Sequence, residues 1–429
     1  MAIYGFHIMA MSALGVLLLL VYMKYMESGD VAIRKTPRRE CPYREDRGFT
    51  ETVVTPSTQT PPSAAIPDAK RTSKVTNVLF LKTHKTAGST VLNILMRFGE
   101  MRNLTFALGA SPVLYRLGYP EKFLPGYALP LATGRYDMLC HHARYSSAMM
   151  DVVPIGTVFI TILRHPVKLI ESWFAFFKIA QRLHVDMDTF LEAPHKYYSQ
   201  YGFVRGVNTA FTNPMLFDLG LDPIDSLNQT KVYDRILEID EVFSLVMIAE
   251  YFDESLILLK DLLNWSFHDI VYFRQNSRKK TGDKTEIITL NRTRNIQITH
   301  GGDIKLYDHF NKTFWRRVHT FGVDRMQREL KQFDLEKQYW EKRCISKLAS
   351  YGNITNKEFR PYETMVLGYE LTPEMASDVN CVLMATTQLP FTRKIYRRML
   401  NMNQLKSNVF NARLVQEGKP FAADTHVKT

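Results

Sequence analysis

The chain has 429 residues, 45% hydrophobic and 23% charged, an ordinary globular composition that excludes a mostly disordered protein. Lys and Arg number 55 against 43 Asp and Glu, a net charge of +12 that points to an anionic partner: nucleic acid, acidic lipid, or a phosphorylated or sulfated small molecule. At about 150 residues per domain the length allows two or three domains, or one large α/β domain with appendages, and no internal repeat supports a solenoid.

The first element is apolar. Residues 8–23, IMAMSALGVLLLLVYM, carry no charge, and about 20 residues at 1.5 Å each cross a hydrocarbon core of about 30 Å. The segment before it lacks Lys and Arg, and no small-x-small cleavage site follows, so it reads as a signal-anchor rather than a cleaved leader. Residues 1–7 then form a short tail. Orientation is contested within the sequence. Lys24, Arg34, Lys35, Arg38 and Arg39 follow the span, and the positive-inside rule puts that side in the cytosol. Six N-x-S/T sequons, at Asn103, Asn228, Asn264, Asn291, Asn311 and Asn353, favour a lumen instead. Four cysteines, Cys41, Cys140, Cys344 and Cys381, show no zinc-finger spacing; Cys344 with Cys381 is a local pair open to disulfide formation. Residues 24–74, rich in Thr, Pro, Ser and charge, read as a disordered stem.

At Val75 the composition changes. VTNVLFLK suits a buried parallel strand, THKTAGST a loop, and VLNILMRFGE a helix that Ser89 or Thr90 would cap and Gly99 would help to end. A strand feeding a polar loop into a helix N-terminus offers free backbone N–H groups and the positive end of a dipole to a phosphate. Lys85 adds a cation, and Thr86, Ser89 and Thr90 add hydroxyls. The Lys precedes the only Gly, so this is not a Walker A loop. Further on, MLCHHARY reads as a strand end leading into a loop. A second apolar run, VFITIL (158–163), ends in Arg164, and His165-Pro166 opens a helix, with Pro in its favoured first turn, that KLIESWFAFFKIA continues. Ser172, about two turns into that helix, can look back to the carboxyl edge of the sheet where Arg164 sits.

LKTHKTAGST followed by ITILRHPVKLIESWF resembles the Golgi carbohydrate sulfotransferases that use 3′-phosphoadenosine 5′-phosphosulfate (PAPS). CHHARY, EYFDESLILLKDLLNW and YFRQNSR are similar to the galactose 3-O-sulfotransferase branch, which includes galactosylceramide sulfotransferases. The likeness runs from about Val78 to about Cys344. It implies an α/β fold: a central parallel sheet flanked by helices, P-loop-like, over residues 75–400, with a C-terminal tail at 401–429. It implies transfer of a sulfuryl group from PAPS, without a metal, to the 3-hydroxyl of a terminal galactose on a glycolipid such as galactosylceramide or on a glycoprotein glycan. Lys85, Thr86, Gly88, Ser89 and Thr90 are then assigned to the 5′-phosphosulfate, and Arg164 with Ser172 to the 3′-phosphate. The implied setting is the Golgi membrane, single-pass type II, with the catalytic domain luminal.

The acceptor hydroxyl needs a base titrating near working pH, which favours histidine. His142 stands first, within the C-x-H-x-R-aromatic pattern Cys140, His142, Arg144 and Tyr145; His84 stands second, and His141 behind both. Neighbours on a strand point to opposite faces, so only one of His141 and His142 can face a site. Lys82 faces the same loop, but strand alternation can send it elsewhere, so it stays outside the core set. The run at 278–280 is either a basic cover for the 3′-phosphate or a solvated surface. Residues 306–344 read as one long or two consecutive amphipathic helices. A magnesium-dependent kinase lacks its signature here, and a nucleic-acid binder lacks a reading module. A non-catalytic membrane-anchored glycan-binding protein is the rival of a different class. The sequence leaves oligomeric state open, a homodimer included.

Overall fold

The computed structural model describes residues 73–405 apart from 110–114, 195, 198–211, 276–289, 362–365 and 403. The short tail, the anchor at 8–23, nearly all of the stem, the run at 278–280 and most of the 401–429 tail lie outside the described residues. Among the described residues no helix is long and apolar enough to cross a membrane.

In chain order, and leaving short helical turns unnumbered, the main elements are β1 (Val78–Leu81), α1 (Gly88–Glu100), β2 (Met138–Leu139), β3 (Val158–Leu163), α2 (Pro166–Phe176), α3 (Pro214–Asp218), α4 (Gln229–Val242), β4 (Leu245–Ile248) and α5 (Phe252–Leu263). Then come α6 (Gly301–Phe321), α7 (Val323–Cys344), β5 (Ile345–Ser350), β6 (Leu367–Leu371), α8 (Val379–Ala385) and α9 (Gln388–Asn401). Strands β1, β3 and β4 are uniformly apolar except for Thr161, and every residue in them is buried. Such runs suit a parallel sheet covered on both faces. They pair, all parallel, in the order β2-β1-β3-β4, with Val78 opposite both Met138 and Val158, and Ile160 opposite Leu245. The chain steps from β1 to one side for β2 and to the other for β3. The order therefore reverses at β1, and ligands of open α/β sheets bind at the carboxyl ends beside such a reversal.

Three expectations change in detail. Helix α1 begins at Gly88, its N-cap is Ala87, and no side chain caps it; the Thr90 hydroxyl instead accepts from the Gln275 N–H at 3.1 Å. Gly99 does not end α1. A Cβ there would meet Phe106 Cζ at 2.4 Å, so glycine is required by close packing. The segment after His165 stops at Phe176, and Lys178, in the left-handed region at φ 52°, breaks it from a short helix at Ile179–Leu183. Residues 306–344 belong to two helices, α6 and α7, separated at Gly322 with φ 99°.

Beyond α7 the sequence shows little pattern, yet the chain closes the domain there. β5 pairs antiparallel with β6, and a Cys344–Cys381 disulfide ties the end of α7 to α8. Helices α8 and α9 pack on α1. Asn93 of α1 donates to the carbonyls of Leu383 and Thr386 at 3.0 and 3.2 Å, and Arg398 of α9 donates to Glu100 at 2.8 Å.

Helix α3 has five residues, too few to hold itself in water. It is held from outside. The buried Asp303 carboxylate accepts from the Met215 and Leu216 N–H groups at 3.0 and 2.9 Å, while Asn213 Oδ1 accepts from the Asp303 N–H at 2.9 Å, so α3 and α6 cap each other. At the far end Arg144 Nε donates to the Phe217 carbonyl at 2.8 Å, and the Tyr145 N–H to that of Asp218 at 2.9 Å.

Burial, aided by the nearby Asp218 charge and opposed by the two N–H groups, raises the Asp303 carboxyl from its ordinary value to about 7. The folded protein therefore holds this proton more tightly than the unfolded chain, and the stability it contributes is complete below about pH 4 and is lost as pH rises to about 7. In urea unfolding, Asp303→Asn should flatten the fall in stability between pH 5 and pH 8. An unchanged pH slope would contradict this.

Candidate active site

A cleft of about 930 Å³ opens at the carboxyl ends of β1 and β3, where the strand order reverses. Its floor is the loop from Lys82 to Thr90. Thr83 and Thr86 share a hydroxyl–hydroxyl hydrogen bond of 2.8 Å, Thr86 Oγ1 also reaches the Thr83 carbonyl at 3.1 Å, and Thr83 Oγ1 donates to the Ile162 carbonyl across the sheet. Lys85 and Ala87 take left-handed backbone, φ 62° and 68°, which costs non-glycine residues energy and recurs at functional turns. The loop delivers the chain to α1 with no capping side chain and no acid in the first turn. The N–H groups of Gly88 and Ser89 have no intrahelical acceptor there, and the helix dipole places partial positive charge at the same point. That is a cradle for an anion.

Lys85, Gly88, Ser89 and Thr90 line the cleft. Thr86 does not; its hydroxyl is spent inside the loop, so only its backbone is left for a ligand. Across the cleft stand Arg164, at the end of β3, and Ser172, on α2. Arg164 Nη1 donates to the Lys85 carbonyl at 3.0 Å, tying the β3 end to the loop, and Lys85 Nζ lies 3.8 Å from the Phe176 ring centroid.

The histidines separate cleanly. His141 faces the core: its Nε2 is 2.9 Å from Thr392 Oγ1 of α9, and burial, helped by Lys82, lowers its pKa to about 3. His142 faces the cleft, and the two neighbours do point apart. Burial first, then Lys82, His84, Arg116 and His141, hold the His142 ring well below the ordinary histidine range, so it stays neutral. Its Nδ1 is buried without a hydrogen-bond partner. His84 stacks on it, ring centroids 4.2 Å apart and planes 18° from parallel. The wholly buried Asp218 carboxylate takes the His84 backbone N–H at 2.7 Å and the His84 Nδ1–H at 3.0 Å. A carboxylate on Nδ1 fixes the tautomer and leaves Nε2 as the proton acceptor.

Several cleft residues escaped the sequence reading. Asp218 sits in FDLG, 134 positions from His84, with no local pattern to mark it. Lys82, left outside the core set, lines the wall and bonds Gln388 Oε1 of α9 at 2.9 Å. Arg116, Lys168, Arg274 and Arg360 also line the cleft, and among the described lining residues only Glu171 and Glu250 oppose this charge. A helical run of basic residues would have been visible; cations drawn from separate segments are not. Among the described residues no group of three or more His, Cys, Asp or Glu side chains could hold a metal ion.

Comparison with known proteins places the chain in a family. Residues 38–399 match the galactose-3-O-sulfotransferase family profile. Galactose-3-O-sulfotransferase 2 of Sus scrofa is 37% identical over 339 residues, covering 75% of this chain and 84% of its own. The Homo sapiens protein of that name is 34% identical over 351 residues, covering 78% and 87%. Galactosylceramide sulfotransferase of Homo sapiens is 34% identical over 318 residues, covering 69% and 71%. With a profile match over residues 38–399 and relatives that align along most of its length, this chain belongs to the galactose-3-O-sulfotransferase family of enzymes.

Proposed function

We propose that the chain moves the sulfuryl group of PAPS to the 3-hydroxyl of a terminal galactose, carried by a glycolipid such as galactosylceramide. The observation that carries the donor half is the uncapped start of α1, free of acids and ringed by Lys85, Arg164 and Ser172. Family membership carries the galactose half, and the likeness to galactosylceramide sulfotransferase supports the lipid carrier. Galactose on a protein-linked glycan is the second reading, favoured by relatives named for galactose alone that are 37% and 34% identical over 75% and 78% of this chain.

In this proposal the α1 N–H groups and Lys85 hold the phosphosulfate, and Arg164 with Ser172 holds the 3′-phosphate. The galactose oxygen bonds to sulfur as the bond from sulfur to the bridging oxygen breaks. Adenosine 3′,5′-bisphosphate leaves, and Lys85 offsets the charge that grows on the bridging oxygen. PAPS supplies the activated sulfuryl group; the chain supplies positioning and charge. The acceptor proton goes to a histidine, and the geometry favours His84 over His142, which the sequence pattern puts first. Asp218 orients His84 and stabilises the imidazolium as it forms, whereas a ring held neutral by burial is a weak proton acceptor.

The Golgi membrane, in type II orientation with the domain luminal, is the setting that goes with this chemistry. The apolar segment at 8–23 supports it, as do the exposed sequons at Asn103, Asn228, Asn264, Asn291 and Asn353 and the Cys344–Cys381 disulfide.

Three experiments follow. Labelled PAPS with galactosylceramide, lactosylceramide and N-acetyllactosamine should label the glycolipids first; label confined to N-acetyllactosamine moves the carrier to glycans, and none on any galactose ends the reading. His84→Asn keeps a donor for Asp218 but loses Nε2, so its single-turnover rate should fall about 10²–10⁴-fold with bisphosphate affinity retained. His142→Asn should fall less, and the reverse order would return the base to His142. Full-length protein in intact vesicles should resist added protease and lose mass with endoglycosidase; digestion without a glycosidase shift would invert the topology.

A further inference from the structure

Lys82 leaves β1 at its carboxyl end and turns inward, with only 4% of its surface exposed. Its stem crosses the first residue of α1: a Cβ added to Gly88 would stand 3.0 Å from Lys82 Cγ and 3.5 Å from Cε. The side chain thus lies along the anion cradle. Its Nζ donates to Gln388 Oε1 at 2.9 Å, and an amide oxygen satisfies one N–H without supplying countercharge.

The titratable groups that face Lys82 offer no anion. Lys85, from the loop, repels it. Cys140, from the segment after β2, is a buried thiol pushed far above its ordinary value, so it stays protonated at neutral pH. His141 and His142, from the same segment, are held neutral in part by Lys82 itself. Burial first of all, with Lys85 adding to it, lowers the Lys82 ammonium to about 7. An isolated buried charge is costly unless paired, and in the free protein this one relieves that cost by shedding its proton.

We propose that Lys82 is a second cation of the transfer site, set beside the start of α1 as the countercharge of the incoming phosphosulfate and brought to full charge by its arrival. The inference rests on the sulfuryl-transfer reading and adds to it a residue and a proton. An anion entering the cradle supplies the missing partner, Lys82 takes a proton from solvent, and the ammonium then faces the sulfuryl group while its bond to the bridging oxygen breaks. Gln388 holds the amine in place in the meantime. The expected signature is proton uptake coupled to donor binding, which a lysine with a merely structural role would not produce.

Calorimetric titration of the protein with adenosine 3′,5′-bisphosphate at pH 7.5, in two buffers of different ionisation heat, reads that proton directly. The parent should take up about 0.7 proton per ligand, the uptake expected if a group titrating near 7 is raised by two units or more. Lys82→Met should lose that uptake and still bind, and its single-turnover rate with PAPS should fall about 10²–10³-fold. Its resistance to urea should equal or exceed the parent's, because the variant no longer has to bury an amine that gives up its proton on folding. If Met at this position does not fold, Lys82→Gln serves in the same assays. Equal proton uptake in parent and variant, or a variant rate within about twofold of the parent, overturns the assignment. Failure of the parent to bind the bisphosphate at all overturns the donor-site reading, and this inference with it.

Discussion

A carboxylate removed from water must have its charge answered by nearby donors, and Asp218 finds two of them on a single residue, His84. The backbone contact fixes where the loop leaves β1, and the ring contact fixes how the imidazole is turned. Everything that positions Asp218 therefore positions the loop as well. Helix α3 is clamped at one end by Asp303 and at the other by Arg144, so the carboxylate is set by α6 and by the segment after β2 together. The His142 ring, from that same segment, then backs His84 at stacking distance. A five-residue helix with little stability of its own becomes a rigid mount because both of its ends are satisfied by other parts of the fold.

The same burial that makes the site precise makes its charges conditional. Lys82, the two histidines after β2 and the Cys140 thiol that precedes them are all deeply buried, and each moves toward its neutral form. Only the open side of the cleft, with Lys85, Arg164 and the basic residues around them, carries positive charge through to solvent. The cleft so combines a steady attractive field at its mouth with a floor whose ionisation answers to what is bound. Water exclusion strengthens each of these interactions in the step where charge moves.

Those parts of the fold that depend on local pattern were legible in the sequence. β1, β3 and α2 declared themselves by apolar runs, by a polar loop and by Pro at a helix start. The pairing of Arg164 with the Lys85 loop followed from both lying at carboxyl ends of parallel strands. What could not be read was long-range. Asp218 has nothing in its neighbourhood to distinguish it, and its role exists only because α3 folds back over the loop. Strand alternation did not decide Lys82, because it lies one residue past the last paired position of β1, where alternation no longer governs direction. The cap of α1 lies elsewhere for a related reason: left-handed backbone at Lys85 and Ala87 moves it from Ser89 or Thr90 back to Ala87, and no propensity predicts that.

The wall formed by α8 and α9 has a consequence for how the protein is made. Asn93 reaches carbonyls 290 and 293 residues downstream, Lys82 an amide 306 residues downstream, and His141 a hydroxyl 251 residues downstream. On a chain synthesised from its N-terminus, the loop that floors the cleft emerges early and stays unfinished until almost the whole polypeptide has been released. Until then the apolar face of α1 and the interior side of His141 lack their cover. A ribosome that stops between α7 and α9 therefore yields a chain in which Lys85, His84, Arg164, Ser172 and Asp218 are all present and whose cleft is missing one side. Loss of α9 is in this protein a lesion of the cleft, although no residue conspicuous for its chemistry is lost with it.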